Sequence, residues 1–280
     1  MAWEFTDDVT VYIERVWPLL AAHPVDNTLA LTVVDAARAG QRWSDEPVLF
    51  GWYQQGPQVA GAVLQALPYE LLLAVVPDGA VDDLVITLQA RQVWVPGVYG
   101  DTDLVECFAK RWTAGTSWRA VVTMRQRLYA LDALQPPIAL PAGRGRQAGR
   151  GDFDLVLEWF VEFHREIGVG AFGLERTVGR RIDNGLVWLW QDLTGVVVSL
   201  AGRNPTLAGV ARLGPVYTPP QHRRRGYGAA VTAACTADAL GGGAQRVVLF
   251  TDLANPTSNA LYQRLGYRPV RDRTITRFMH

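Results

Sequence analysis

Two short stretches in the second half of the chain hold residue types whose spacing suits them to chemistry. Residues 216–228 read VYTPPQHRRRGYG, in which Arg223, Gly226 and Gly228 form the pattern R-x-x-G-x-G. An apolar run precedes the pattern and helical periodicity follows it, so the chain passes here from strand to helix. Glycine lets a backbone approach an anion closely, and the N–H groups of a helix's first turn have no partners of their own. The helix dipole adds about 0.3–1 kcal/mol for a well-placed anion. Arg223, Arg224 and Arg225 offer charge-assisted bonds to phosphate oxygens. A run of three arginines is equally at home on a solvated face, so this stretch alone leaves the matter open.

The second stretch, LFTDLANPTSNALYQRLGY at 249–267, leads from a buried strand through a polar turn into a short helix. Asn255 is a good N-cap, and Pro256 suits a first helical turn. Asn255 and Tyr262 stand seven residues apart, two helical turns, so they share nearly one face with Ser258 between them. Taken alone, Asn255 could be only a cap and Tyr262 only a core residue with its hydroxyl at the rim.

The elements that must position these residues can be read from periodicity. Past residue 151, helices are expected over 152–167 and 175–182 and short strands at 186–190, 196–200 and 207–213. The last of these meets Gly214-Pro215, where a regular ladder should be disturbed because proline cannot donate. Helix 226–240, strand 246–251, helix 256–265 and a β segment from Tyr267 complete this half. The first half repeats the order: helices near 7–20 and 28–39, a hairpin of 48–53 with 59–64, strand 70–76, helix 80–90, strand 93–95, helix 101–112 and strand 118–128. Matching order suggests an old duplication. Between the halves, QPPIALPAGRGRQAGRG has prolines that forbid helix and no apolar period to bury. The expected organisation is therefore 1–135, a linker at 136–151, and 152–280.

Composition narrows the classes. Acidic and basic residues balance at 27 each, which gives no overall field to recruit nucleic acid or an anionic membrane. No uncharged apolar run reaches the ~20 residues of a membrane span. The start, MAWEFTDDVT, lacks the basic and apolar stretches of a secretory signal. The two cysteines, Cys107 and Cys235, form no framework, so a reducing cytoplasm is expected. Four scattered histidines and no C-x-x-C leave no visible zinc set, and no metal is expected. Hydrolase and nucleotide-phosphate motifs are missing.

Taken together, R-x-x-G-x-G at 223–228 and N-P-T-S-N-A-L-Y-Q-R-L-G-Y at 255–267 resemble the GCN5-related N-acetyltransferase (GNAT) superfamily in order, separation and setting. The resemblance covers roughly 150–280 well and the first half by element order alone. It implies an α/β (α+β) fold of two tandem GNAT-like domains, each a mixed, mostly antiparallel sheet flanked by helices. A strand would splay at the acetyl-CoA site of the second domain. There the main chain of Val216, Tyr217 and Thr218 would hold the pantetheine arm, and Arg223, Arg224, Arg225, Gly226, Tyr227 and Gly228 the pyrophosphate. Asn255 matches the pantetheine-contacting asparagine with Ser258 beside it, and Tyr262 the general acid to the departing thiolate. A reference phenol at pKa ~10 against a thiol at ~8.5 makes full proton transfer uphill by about 2 kcal/mol.

Some positions depart from the pattern. Arg224 stands where relatives often carry glycine. In the first half the corresponding turn, VVPDGAVDD at 75–83, lacks the arginine and the second glycine, and Asp78, Asp82 and Asp83 would repel an anion. That half is read as a degenerate copy that binds no cofactor. No general base is legible: His164 lies on an apolar face, with Glu166 near it. The resemblance implies acetyl transfer from acetyl-CoA to a primary amine of a small molecule, peptide or protein, with neither nucleic acid nor membrane as partner. Two alternatives remain: a non-catalytic acyl-CoA-binding sensor, and a transferase of a longer acyl chain.

Overall fold

Helices and strands alternate through residues 2–280, which the computed structural model describes. The chain order is β1 Ala2–Thr6, α1 Val9–Ala22, α2 Thr28–Arg38, β2 Leu49–Gln55, β3 Gln58–Gln65, β4 Leu71–Val75, α3 Ala80–Ala90, β5 Gly97–Asp101, α4 Thr102–Trp112 and β6 Arg119–Leu131. It continues with β7 Arg144–Gln147, α5 Phe153–Glu166, α6 Leu174–Asp183, β8 Val187–Gln191, β9 Val197–Arg203, β10 Val210–Tyr217, α7 Tyr227–Gly241, β11 Arg246–Asp252, α8 Pro256–Arg264 and β12 Tyr267–Met279. The fold is mixed α/β, with mostly antiparallel pairing and flanking helices. Two compact units result. One holds residues up to Arg127 with Asp252–Ala254 and Arg271–His280; the other holds Leu128–Thr251 and Asn255–Val270.

In the first unit the strands lie in the order β1-β2-β3-β4-β5-β12. All these pairs are antiparallel except β4 with β5, which are parallel and in register only at Leu71↔Val98 and Leu72↔Tyr99. Leu84 and Leu88 of α3 and Phe108 of α4 bury against Leu73, Val98 and Phe278. On another face, Tyr12 of α1 stacks on Phe50 with centroids 4.7 Å apart. Arg273 of β12 is buried, pairs with Asp101 at 2.9 Å and donates to the Asp26 carbonyl.

Two strands here differ from sequence expectation. β1 is short, and AWEFT carries too little alternation to stand out. The strand expected at 93–95 lies instead at Gly97–Asp101. Two glycines, Gly97 and Gly100, break the apolar pattern there, and a Cβ at Gly97 would collide with the Thr276 carbonyl of the neighbouring strand. Glycine is what such a close approach demands.

In the second unit the order is β11-β10-β9-β8-β7. β10 and β11 are parallel, the rest antiparallel. Successive side chains of a strand face opposite ways. Ala201 therefore joins Val231 and Cys235 of α7 in one core, while Leu200 joins Val156 and Phe160 of α5 and Val178 and Ile182 of α6 in the other. α7, YGAAVTAACTADALG, is rich in alanine, the best helix former, and its small side chains fit it to the sheet. β7 falls inside the stretch that composition reads as linker. RGRQ has no apolar alternation, yet it pairs along β8 as an edge strand.

Candidate functional site

The sequence places the end of β10 at Leu213; the strand runs on through Gly214 and Pro215 to Tyr217. Its parallel register with β11 stops at Leu213↔Leu249. Against β9 it resumes at Val216↔Ala201 and Tyr217↔Leu200 after a shift between Leu213 and Val216, so three steps of β10 face two of β9. That is a bulge: one extra residue bends the strand. Gly214 takes it up at φ +145°. β10 thus leaves β11 while staying with β9.

The residues beyond the bulge are held from the β9 side. Ser199 Oγ, fully buried, donates to the Tyr217 carbonyl at 3.1 Å and lies 2.8 Å from Thr218 Oγ1. The Tyr217 ring is buried beside Trp159, and its hydroxyl donates to Glu162 of α5 at 2.7 Å. Burial and that carboxylate push the phenol well above its ordinary value. The Tyr217 side chain is thus committed to α5, and the Val216 side chain packs on the α7 core.

The loop into α7 turns through left-handed residues. Arg224 has φ +62° and Gly226 φ +82°, both left-handed. That region costs an L side chain about 1–2 kcal/mol, which explains why glycine would suit position 224 as well. The first main-chain bond into the helix runs from Ala230 N–H to Gly226 O. The N–H groups of Tyr227, Gly228 and Ala229 precede it, the donors that helix geometry leaves over. A Cβ on Gly228 would lie 3.4 Å from Thr218 Oγ1 and 3.7 Å from Leu261 Cδ1. The end of β10, the start of α7 and the flank of α8 therefore meet at Gly228.

The three arginines divide. Arg223 is engaged: Nε donates to the Thr218 carbonyl at 2.8 Å, Nη2 reaches both Glu166 oxygens at 2.6 and 2.9 Å, and the guanidinium lies over the Tyr217 ring. Arg224 and Arg225 are exposed, and among the described residues they meet no side-chain partner.

On α8, Asn255 Oδ1 accepts from Ser258 N–H at 3.0 Å, which is the N-cap the sequence implies. Its carbonyl accepts from Asn259 N–H and Nδ2. Tyr262 is buried, edge-on to Tyr267 at 6.1 Å. Burial pushes its phenol up to about 12. Tyr129, which sequence reasoning missed, donates to Asn259 Oδ1 at 3.1 Å and accepts from Gln263. The i, i+4 spacing of Asn259 and Gln263 was the available signal.

The residues weighed as bases each have a partner, His164 at one ring nitrogen only. His164 Nδ1 lies 2.7 Å from the Phe160 carbonyl, and burial, aided by the charge of Arg181, lowers its imidazole. Glu166 is bound to Arg223. Arg181 of α6, also unforeseen, donates to the Gly214 carbonyl at the bulge. Among the described residues no cluster of His, Cys, Asp or Glu could hold a metal, and no helix is long and apolar enough to cross a membrane.

A mixed sheet with a parallel pair that separates at a bulge, ahead of a glycine-capped helix, defines a GNAT-like fold. Residues 153–267, within the second unit, match the model of the Acetyltransferase (GNAT) family. Comparison with curated protein sequences gives no match. Among solved structures, the chain is similar to an acetyltransferase of the GNAT family from Colwellia psychrerythraea, at 13% identity, full coverage of both chains and TM-score 0.62. It is also similar to a GCN5-related N-acetyltransferase from Sphaerobacter thermophilus, at 17% identity, 98% and 95% coverage and TM-score 0.62. A tandem GNAT protein from the clavulanic acid biosynthesis pathway gives 14% identity, 99% and 98% coverage and TM-score 0.61. At such identities the likeness is one of fold, and it spans the whole chain.

Proposed function

We propose that the second unit moves an acetyl group from acetyl-CoA to a primary amine by direct attack of the amine on the thioester. The observation that carries this reading is the convergence at Gly228 of a separated strand edge, uncommitted first-turn amides and the helix bearing Tyr262. The residues fit the diphosphate: Gly228 lets it approach the backbone, the amides of Tyr227, Gly228 and Ala229 face it, and Arg224 and Arg225 add charge. Asn255 and Ser258 would flank the pantetheine arm, and the main chain of Val216, Tyr217 and Thr218 would line its other side.

When bound, the thioester supplies an electrophilic carbonyl and a thiolate leaving group. Amides of the β10 edge polarise that carbonyl as an oxyanion hole does. Tyr262 stays protonated at neutral pH. A phenol near 12 against a thiol near ~8.5 makes proton transfer uphill by about 5 kcal/mol, so Tyr262 acts first as a hydrogen-bond donor to the sulfur. The proton passes as C–S cleavage completes. Glu166 is held by Arg223, so the attacking amine loses its proton to water or to His164, whose Nδ1 contact with the Phe160 carbonyl leaves Nε2 to accept it. The first unit has Asp82 and Asp83 in the first turn of α3, where they repel a diphosphate, so it is a copy without a cofactor. The Sphaerobacter neighbour is a GCN5-related N-acetyltransferase, and its name favours nitrogen as the acceptor atom here.

Calorimetry with CoA and release of free thiol with a panel of amines test the reading. Binding with amine-stimulated release supports it. Binding without release for any amine favours a sensor, and no binding refutes it.

A further inference from the structure

Among the described residues, the guanidinium of Arg181 meets no carboxylate. Nη1 donates to the Gly214 carbonyl at 2.6 Å, Nη2 to Asn204 Oδ1 at 2.5 Å, and the group lies over the Phe160 ring at 5.4 Å. Its surroundings are fitted to it. A Cβ on Gly202 would come within 3.1 Å of Nη1. Asn204 is 7% exposed, and its N–H is tied to the Arg212 carbonyl. A charge in such a place is costly unless its hydrogen bonds are well made, so its position is tightly set.

The bulge explains what Arg181 is for. It takes Gly214 out of the β9 register, and the β11 register ends one residue earlier, so neither register pairs the Gly214 carbonyl. Two residues further on lies Val216, the first residue past the bulge. We infer that Arg181 is a positioning residue: by holding the Gly214 carbonyl it fixes the bend of β10 and the direction in which the Val216 backbone faces the acyl carbonyl. The inference rests on the proposed use of that edge. A lysine cannot replace it, since a single ammonium lacks the two-pronged reach to Gly214 and Asn204.

Acetyl-CoA carrying ¹³C at the acetyl carbonyl is the probe, read by isotope-edited infrared spectroscopy beside kcat and CoA affinity. In the wild-type protein the bound carbonyl band should lie below its free-solution frequency. In Arg181→Met and Arg181→Lys the band should return toward the free value and kcat should fall about 100-fold. Affinity for CoA itself, which has no carbonyl at that point, should change by less than about threefold. A wild-type band and wild-type kcat in both variants overturn the inference. So does a CoA affinity that collapses together with kcat, which a merely structural residue would give. Should Arg181→Met not fold, Asn204→Leu with Arg181→Lys decides, and unshifted bands in both overturn the inference. A wild-type protein that binds no CoA refutes the acetyl-transfer reading itself. One that binds acetyl-CoA with an unperturbed band overturns the positioning role alone.

Discussion

Single residues carry the sharpest consequences of the proposed chemistry. Tyr262 is buried with its phenol near 12, so in the proposed reaction it would serve by donation to sulfur rather than by ready ionisation. Tyr262→Phe should lower kcat by about 10²-fold while CoA affinity from calorimetry stays within about threefold. Equal kcat would remove the tyrosine from the mechanism. Arg223 makes the opposite kind of case. Its partner Glu166 competes with any phosphate for the same guanidinium, and both side chains are about two-fifths exposed, where such pairs are worth about 0–1 kcal/mol. Glu166→Gln should therefore tighten CoA binding about two- to fivefold. Weaker binding would mean that the ion pair shapes the loop instead.

At the scale of elements, the strand–loop–helix passage of β10 and α7 separates stability from binding. Gly228 has room for a Cβ in ordinary contact, and alanine favours a helix over glycine by about 0.8–1 kcal/mol. Gly228→Ala should keep or raise the melting temperature yet weaken CoA binding about tenfold, because the methyl group blocks the backbone approach. A melting temperature that drops with the affinity would contradict this. The helices were legible in sequence because periodicity and caps are local: α3 spans Ala80–Ala90 as expected, and Asn255 caps α8. Edge strands were not. β7, RGRQ, has nothing apolar to alternate, and its pairing depends on β8 more than forty residues away. In the site, the glycines and Asn255 announced themselves by backbone needs. Arg181 and the engagement of Arg223 did not, since both depend on contacts between elements distant in sequence.

For the molecule as a whole, the last ten residues belong with the first unit. Arg273 pairs with Asp101, and Phe278 stacks on Phe108 and Trp112. A chain ending at Val270 should lose the protease resistance of residues 2–127. A truncated protein as resistant there as the full chain would show the strand to be dispensable. Alkaline stability is a second global property. Tyr12, Tyr217 and Tyr267 are buried with raised phenol values, as is Tyr262 near 12. Above pH ~10 the unfolded chain gives up phenolic protons that the folded chain keeps, so the native state binds more protons and stability falls as pH rises. Their contribution is whole below pH ~10 and is lost through the folded values. Cys235, buried with its thiol pushed up to about 12, and Tyr53, also raised, add to the same loss, the thiol from a lower pH. Melting temperatures should begin to fall above pH ~9, as the unfolded chain gives up the Cys235 proton, and fall steeply above ~10; a flat profile to pH 11 would contradict the burial of these groups.

The central claim is that free amides at the start of α7 receive the diphosphate of CoA. Amide ¹H–¹⁵N spectra recorded during CoA titration test it most directly. The account predicts that the resonances of Tyr227, Gly228 and Ala229 move downfield and saturate with the calorimetric affinity. If those three stay in place while CoA binds, the diphosphate is held elsewhere and the account fails.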